Sequence, residues 1–268
     1  MQLLQEVFKN SEEISLNGKT AVITGASSGI GQATACWLAR EGMNLILIAR
    51  RLDKLEFLKK ELNEQFPKVS IKNIQIDLQE KKLLEKLTNE NVFNCDLFIN
   101  NAGLALTRDL VENSSEEDIE TMVSTNITAL FKLSSVVAKN MVKKGHGHII
   151  NIGSVAGHFS YPGGAVYCAT KAAVKSFSEA LRQELHEKNV RVTLISPGMV
   201  RTDFSLVRFK GDKSTADNVY AHVECLEAKD IARIIVKTAK EPIHVNIDEV
   251  LVFPTVQAPV SLKTSKNK

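Results

Sequence analysis

Short apolar runs alternate with longer amphipathic stretches along almost the whole chain. Lys19–Ile23 is a β-branched run that leads into TGASSGIG at Thr24–Gly31, and a helical pattern follows as far as a stop at Gly42. Asn44–Ala49 (NLILIA) predicts a second strand, and the charged, amphipathic Asp53–Gln65 a helix. Val69–Ile76 reads as a third strand, Glu80–Leu87 as helix and Asp96–Asn100 as a fourth strand. A long helical region at Glu116–Lys144 precedes a fifth strand at Gly147–Ile152 and a long helix at Ala165–Lys188. Val190–Ser196 is a sixth strand stopped by Pro197-Gly198; Ala228–Lys240 is again helical, and Glu249–Phe253 is the last strand. Strands apolar on both faces belong to a parallel sheet covered by helices on each side. The pattern therefore predicts an α/β fold, a doubly wound parallel sheet of about seven strands.

No linker or shift of composition divides this alternation, which predicts one domain over residues 16–256. Residues 1–15 form an N-terminal leader with Leu3, Leu4, Val7 and Phe8 on one possible face, and 257–268 a basic tail. Met199–Val223 is less regular and more polar than its flanks, which suggests a lid over a substrate at about 199–223.

Composition narrows the classes. The chain has 268 residues, 44% hydrophobic and 24% charged, as in ordinary soluble globular proteins. A net charge of +3 without a basic, aromatic-interleaved stripe predicts no nucleic-acid partner. No apolar run approaches the ~20 residues of a membrane helix, and the N-terminus lacks the apolar core of a secretory signal. The expectation is a cytoplasmic protein. Cys36, Cys95, Cys168 and Cys225 lack C-x-x-C spacing, and His146 and His148 have no patterned carboxylate or cysteine partner, so no metal site is expected. His158 reads as a loop histidine, with contact to substrate as the alternative.

The first candidate for chemistry is the strand–glycine–helix passage. Gly25, Gly29 and Gly31 would let the backbone approach a pyrophosphate, and the helix N-terminus presents free N–H groups and partial positive charge. This predicts dinucleotide binding, although the spacing is G-x-x-x-G-x-G and not G-x-G-x-x-G. The second strand runs into Arg50-Arg51, where a guanidinium suits a ribose 2′-phosphate and an acid would suit a free 2′-hydroxyl. NADP is expected over NAD; Asp53 is the acid if the register is shifted by two residues.

The second candidate is Ser154–Lys171, where Tyr167 and Lys171 stand one helical turn apart on one face. A unit charge about 5 Å away at an effective dielectric of about 20 is worth ~3 kcal/mol, which would draw a phenol from its ordinary value of about 10 toward neutrality. That falls short of making tyrosinate dominant, so a bound oxidised cofactor would have to contribute. Alone, the pair reads rather as a half-buried aromatic beside a solvated lysine.

TGASSGIG at Thr24–Gly31, NNAG at Asn100–Gly103, Asn126, Ser154, Tyr167 with Lys171, and Pro197-Gly198 with Thr202 occur in that order. With them the chain resembles the short-chain dehydrogenase/reductase family from about Leu16 to Phe253. The resemblance implies a Rossmann-type domain, a nicotinamide cofactor and a homo-oligomer, tetramer or dimer. It implies a catalytic set of Asn126, Ser154, Tyr167 and Lys171, with Ser154 and Tyr167 meeting the substrate. Tyr167 would exchange a proton with the substrate oxygen, Ser154 would donate to that oxygen, and Asn126 would hold a water leading from Lys171. Cofactor contacts are implied for Gly25, Ser27, Ser28, Gly29, Ile30, Gly31, Arg50, Arg51, Asp77, Leu78, Asn101, Ala102, Gly103, Tyr167, Lys171, Pro197, Gly198, Val200 and Thr202. Three further stretches, GHGHIINIGSVAG, SPGMVRTDFSLVRFKGD and PIHVNIDEVLVFPT, are similar to the NADP-dependent 3-hydroxy acid (serine/allo-threonine) dehydrogenase branch. That implies hydride transfer between NADP(H) and a small 3-hydroxy acid or its semialdehyde. Arg201, Arg208 and Lys210 are candidates to meet its carboxylate, or are solvated basic residues. The alternatives are a carbonyl, sepiapterin-like or 3-ketoacyl reductase and, in another class, a non-catalytic NADP-sensing regulator.

Overall fold

The computed structural model describes residues 13–221 and 223–259. Strands β1 (Thr20–Thr24), β2 (Asn44–Ala49), β3 (Ile71–Gln75), β4 (Leu97–Asn100), β5 (Gly147–Ile152), β6 (Val190–Pro197) and β9 (Glu249–Val252) make one parallel sheet in the order β3-β2-β1-β4-β5-β6-β9. Helices α1 (Gly29–Arg40), α2 (Leu52–Gln65) and α9 (Ala228–Lys240) pack on one face. The other face carries α3 (Leu83–Asn89), α5 (Leu130–Lys144) and α6 (Ala165–Leu185).

Successive side chains of a strand point to opposite faces, and here each side meets its own core. Val22, Ile48 and Phe98 join Leu87, Leu133 and Val137 on one side. Ile23, Leu47 and Ile99 join Leu38, Leu55 and Ile235 on the other. Each such side chain, fully buried, stabilises the fold by about 1.5–3 kcal/mol. This two-sided burial explains why the strands read as continuous apolar runs. The expected doubly wound, Rossmann-type sheet of seven strands is the one observed.

The order reverses between β1, whose successor lies on one side, and β4, whose successor lies on the other. In open α/β sheets the crevice beyond the carboxyl ends of two such strands is where ligands bind. The loops after β1 and β4 therefore face one another over a cleft.

Differences from the expected pattern concentrate where tertiary contacts override it. The helical region Glu116–Lys144 is continuous, but α4 (Glu116–Val123) and α5 are joined by a π-helical stretch, Ser124–Ala129, that contains Asn126. The Met199–Val223 segment holds β7 (Val200–Arg201) and two short helices, α7 (Phe204–Arg208) and α8 (Lys213–Tyr220); β7 pairs with β8 (Leu226–Glu227). Residues 1–12 of the expected leader and 260–268 of the expected tail lie outside the described residues. The inner ends of both are built in: the Ile14 amide donates to the Lys240 carbonyl at 2.8 Å, and Gln257 Oε1 accepts from the Met199 amide at 2.8 Å. Among the described residues no helix is long and apolar enough to cross a membrane.

Candidate active site

The cleft encloses about 680 Å³. One end is the loop between β1 and α1. Gly25 (φ +67°) and Gly29 (φ +56°) hold left-handed conformations that side chains disfavour, and Gly29 also lets Thr202 close in, since a Cβ there would stand 3.2 Å from its methyl carbon. The Ser28 side chain makes no capping bond and the first turn of α1 has no acid. Its orphan N–H groups and positive dipole end are therefore open to an anion. Arg51 folds onto this loop: Nε and Nη2 donate to Ser27 Oγ at 3.2 and 3.0 Å, and Nη2 to Ser28 Oγ at 2.7 Å. Arg50 diverges from it and pairs with Asp77, Nη1 to Oδ2 at 3.7 Å. Asp53, the alternative acid, lines an adjoining hollow beside Cys36 and not the cleft.

The β4 loop is tied to β1 by Thr24, whose Oγ1 accepts from the amides of Asn101 and Ala102, both at 3.0 Å. Asn101 Nδ2 returns a bond to the Thr24 carbonyl at 2.9 Å. Ile30, Leu78, Asn101, Ala102 and Gly103 line the cleft, and Pro197, Gly198, Val200 and Thr202 face them. Gly31 does not reach it. A Cβ at Gly31 would lie 2.5 Å from both the Gly25 carbonyl oxygen and Asn101 Nδ2, so this glycine serves close packing of α1 against both loops.

At the other end stand Ser154, Tyr167 and Lys171. Ser154 follows β5; its Oγ accepts from the Ala156 amide at 3.1 Å and donates to the Pro197 carbonyl at 3.5 Å. Lys171 is buried on α6 and donates from Nζ to the Ile152 carbonyl at 2.8 Å. The electrostatics differ from the sequence-based expectation. Burial pushes the Tyr167 phenol well above its ordinary value; the Ser154 hydroxyl draws it down, Tyr161 raises it, and the Arg208 charge lowers it. Burial likewise depresses Lys171 to about 8. Desolvation disfavours both charged forms, and in the free protein it outweighs the groups that draw the phenol down.

Asn126 does not line the cleft. Its Nδ2 donates to the Leu104 carbonyl at 2.8 Å and to Thr170 Oγ1 at 3.0 Å, and its Oδ1 accepts from the Leu104 amide at 2.9 Å. Both amide N–H groups are committed, so the side chain fastens the β4 loop to α6. Gly103 fits between them: a Cβ there would stand 3.3 Å from Asn126 Oδ1 and 3.4 Å from Lys171 Nζ.

A phenol, a serine hydroxyl and a buried lysine share one end of this cleft, and a glycine loop carrying an arginine forms the other. The sequence model of the short chain dehydrogenase family matches residues 19–212. The chain is a short-chain dehydrogenase/reductase. A relative from Schizosaccharomyces pombe, NADP-dependent 3-hydroxy acid dehydrogenase, is 42% identical over 247 residues, spanning 90% of this chain and 95% of that one. Serine 3-dehydrogenase of Agrobacterium fabrum is 40% identical over 239 residues, 89% of this chain and 95% of that one. The closed form of a serine dehydrogenase complexed with NADP⁺ superposes with a TM-score of 0.85 at 37% identity, covering 92% of this chain and all of that one, 100%.

In this short-chain dehydrogenase/reductase the three candidate cations of the lid separate. Arg208 lines the cleft; Arg201 lies over the Tyr220 ring at 5.6 Å and lines the adjoining hollow; Lys210 Nζ pairs with Asp118 Oδ2 at 2.9 Å. His158 is held outside the cleft by Glu249, Nε2 to Oε1 at 2.6 Å. His146 sits on Asp96 at 3.2 Å, while His148 is buried against Thr193 Oγ1 at 2.9 Å. Among the described residues no group of three or more metal-ligating side chains assembles. Sequence reasoning passed over Tyr161, Arg108 and Phe204, all of which line the cleft. One signal was available: the chain has only 3 tyrosines, and Tyr161, Tyr167 and Tyr220 all lie at this site.

Proposed function

We propose that this chain is an NADP-dependent dehydrogenase that interconverts a small 3-hydroxy acid and its semialdehyde or keto form, with serine, allo-threonine and 3-hydroxypropionate as the substrate type. The single observation that carries the reading is the cleft that holds Ser154, Tyr167 and Lys171 at one end and Arg51, folded onto Ser27 and Ser28, at the other. Supporting it, the 3-hydroxy acid and serine dehydrogenase relatives align over nearly the whole chain.

The glycine loop fits a dinucleotide: glycines in left-handed conformations, an uncapped helix end and a guanidinium beside two serine hydroxyls leave room and positive charge for phosphates. Gly25, Ser27, Ser28, Gly29 and Ile30 would hold the phosphates, and Arg51, with Arg50 nearby, the 2′-phosphate. Asp77 and Leu78 would flank the base, Asn101–Gly103, Tyr167 and Lys171 the ribose, and Pro197, Gly198, Val200 and Thr202 the nicotinamide end. NADP, when bound, supplies the hydride acceptor or donor and, oxidised, a positive ring charge.

The protein's own groups manage the proton. Ser154 Oγ donates to the substrate oxygen where charge develops. Tyr167 Oη takes the hydroxyl proton in oxidation and returns it in reduction. With the phenol raised by burial, the free protein holds that proton at neutral pH, the state reduction needs. Lys171, depressed to about 8, can give and regain a proton near neutrality and stabilises tyrosinate when charged. Asn126 positions these groups by fixing the β4 loop to α6. Assembly as a dimer or tetramer and a cytoplasmic location belong to the same reading, and light scattering measures the first.

An NADP(H) absorbance screen tests the function. Serine, the threonine isomers, 3-hydroxypropionate, 3-hydroxyisobutyrate and malonic semialdehyde should turn over with NADP(H) at higher kcat/KM than with NAD(H), and faster than neutral ketones. Turnover confined to neutral ketones would refute the substrate class, and a preference for NAD(H) the cofactor.

A further inference from the structure

Arg208 is a buried cation, only 9% exposed, with no anion beside it among the described residues. Its protein partners are neutral: Nε donates to the Thr107 carbonyl at 2.8 Å, Nη1 to Tyr161 Oη at 3.1 Å and Nη2 to the Gly163 carbonyl at 3.3 Å. Each terminal nitrogen carries a second N–H that no protein group takes among the described residues. A buried charge is retained at a cost unless an opposite charge meets it.

Its place singles it out further. The guanidinium carbon lies 5.9 Å from the Tyr167 ring centroid and 5.7 Å from that of Tyr161. Arg108, exposed and also in the cleft wall, stands 5.7 Å from the Tyr161 ring, so positive charge surrounds this phenol. The other two candidate cations are engaged elsewhere, Lys210 by Asp118 and Arg201 by Tyr220.

We infer that Arg208 holds the carboxylate of the substrate through one N–H of each terminal nitrogen, and that this bond makes the enzyme select an acid over a neutral alcohol. The inference rests on the hydroxy-acid reading above and names the residue that reads the acid. A carboxylate accepts such a fork bidentately. The scale also fits: in a 3-hydroxy acid the carboxyl carbon is about 2.5 Å from the carbinol carbon. Both ends must then be met by neighbouring protein groups, and the Arg208 guanidinium carbon stands 5.9 Å from the centroid of the Tyr167 ring in the same cleft. Bonds to Thr107, Tyr161 and Gly163 fix the guanidinium before substrate arrives, so little side-chain freedom is lost on binding.

The test compares kcat/KM for 3-hydroxypropionate with that for its methyl ester in the wild type, Arg208→Gln and Arg208→Lys, alongside malonate binding to the NADP⁺ complex by calorimetry. In Arg208→Gln the acid-to-ester ratio should fall by about 30-fold or more, as when a buried charged hydrogen bond is lost, and malonate binding should weaken by at least about tenfold. Arg208→Lys keeps the charge without the fork and should fall by about 5- to 20-fold; it decides the matter should the glutamine variant not fold. A ratio within about threefold of wild type in the folded variants, as expected if Arg208 merely latches the lid and both substrates suffer equally, would overturn the inference. A wild type that already prefers the ester refutes instead the hydroxy-acid reading on which it stands.

Discussion

Burial acts on Tyr167 and Lys171 in the same physical sense, against charge, yet moves their titrations in opposite directions. The phenol rises and the ammonium falls to about 8. For Lys171 this has a thermodynamic consequence with a definite sign. Its folded value lies below its ordinary 10.5, so the unfolded chain binds more protons and stability rises with pH between about 8 and 10.5. Below that window the buried ammonium costs folding on the order of 3 kcal/mol. Lys171→Met should therefore abolish hydride transfer while stabilising the free protein at about pH 7, with the gain shrinking toward about pH 10. Urea unfolding at both pH values measures it, and a methionine variant less stable than wild type at neutral pH would contradict the account. Spacing in the sequence placed this pair on one face of a helix but carried no information on dielectric, and that is where the simple charge argument failed. Arg208 was similarly one of three interchangeable basic residues until the lid's fold buried it and left Arg201 and Lys210 outside.

At the scale of elements, the helix that carries Tyr167 and Lys171 is held in register by a buried polar chain. Asn100 Nδ2 donates to Ser134 Oγ of α5 at 2.9 Å and to Asn151 Oδ1 of β5 at 2.8 Å; Asn151 Nδ2 donates to Ser178 Oγ of α6 at 2.8 Å, and Ser178 Oγ to the Val174 carbonyl at 2.7 Å. Ser178 lies two turns beyond Lys171, so the chain fixes both the depth and the rotation of α6 against the sheet. Asn151→Leu would leave Asn100 and Ser178 each short of a partner in a dry core. It should cost about 2–4 kcal/mol and lower kcat more than it raises KM. A loss in urea unfolding below about 1 kcal/mol would show the chain to be incidental. The strands and long helices were legible because burial on two faces, or on one stripe, writes itself as apolar periodicity. The π-helical stretch at Asn126 was not, since the periodicity runs through it while the hydrogen-bond pattern changes. Nor were α7 and α8, whose few turns depend on distant partners such as Ser205 Oγ on Tyr220 Oη, 2.8 Å, and Arg208 on Thr107.

For the whole molecule, a buried histidine at the end of the sheet far from the glycine loop makes stability sensitive to acid. His148, on β5, is buried with Nε2 bonded to Thr193 Oγ1 and Nδ1 without a partner among the described residues. Burial first, and the nearby Arg191 charge second, hold its imidazole well below its ordinary 6.5. Arg191 cannot be displaced cheaply, because it binds the carbonyls of Ala239, Glu241 and Val245 and so secures the end of α9 beside β6. The unfolded chain takes up a proton at this histidine near its ordinary value while the folded chain refuses it. The sign follows: the stability associated with neutral His148 is fully present above about pH 6.5 and is lost as pH falls below it. Carboxylates contribute mainly below about pH 5, so the interval between them belongs to the histidines, and a histidine-to-glutamine variant assigns the share of His148. Unfolding free energies measured in urea at steps across that interval should fall with decreasing pH, with a slope approaching one proton. In His148→Gln, which retains a hydrogen-bonding amide for Thr193 and cannot protonate, the slope should flatten even though the absolute stability drops. An unchanged slope in that variant would place the acid sensitivity elsewhere, with exposed His146 on Asp96 the next group to remove.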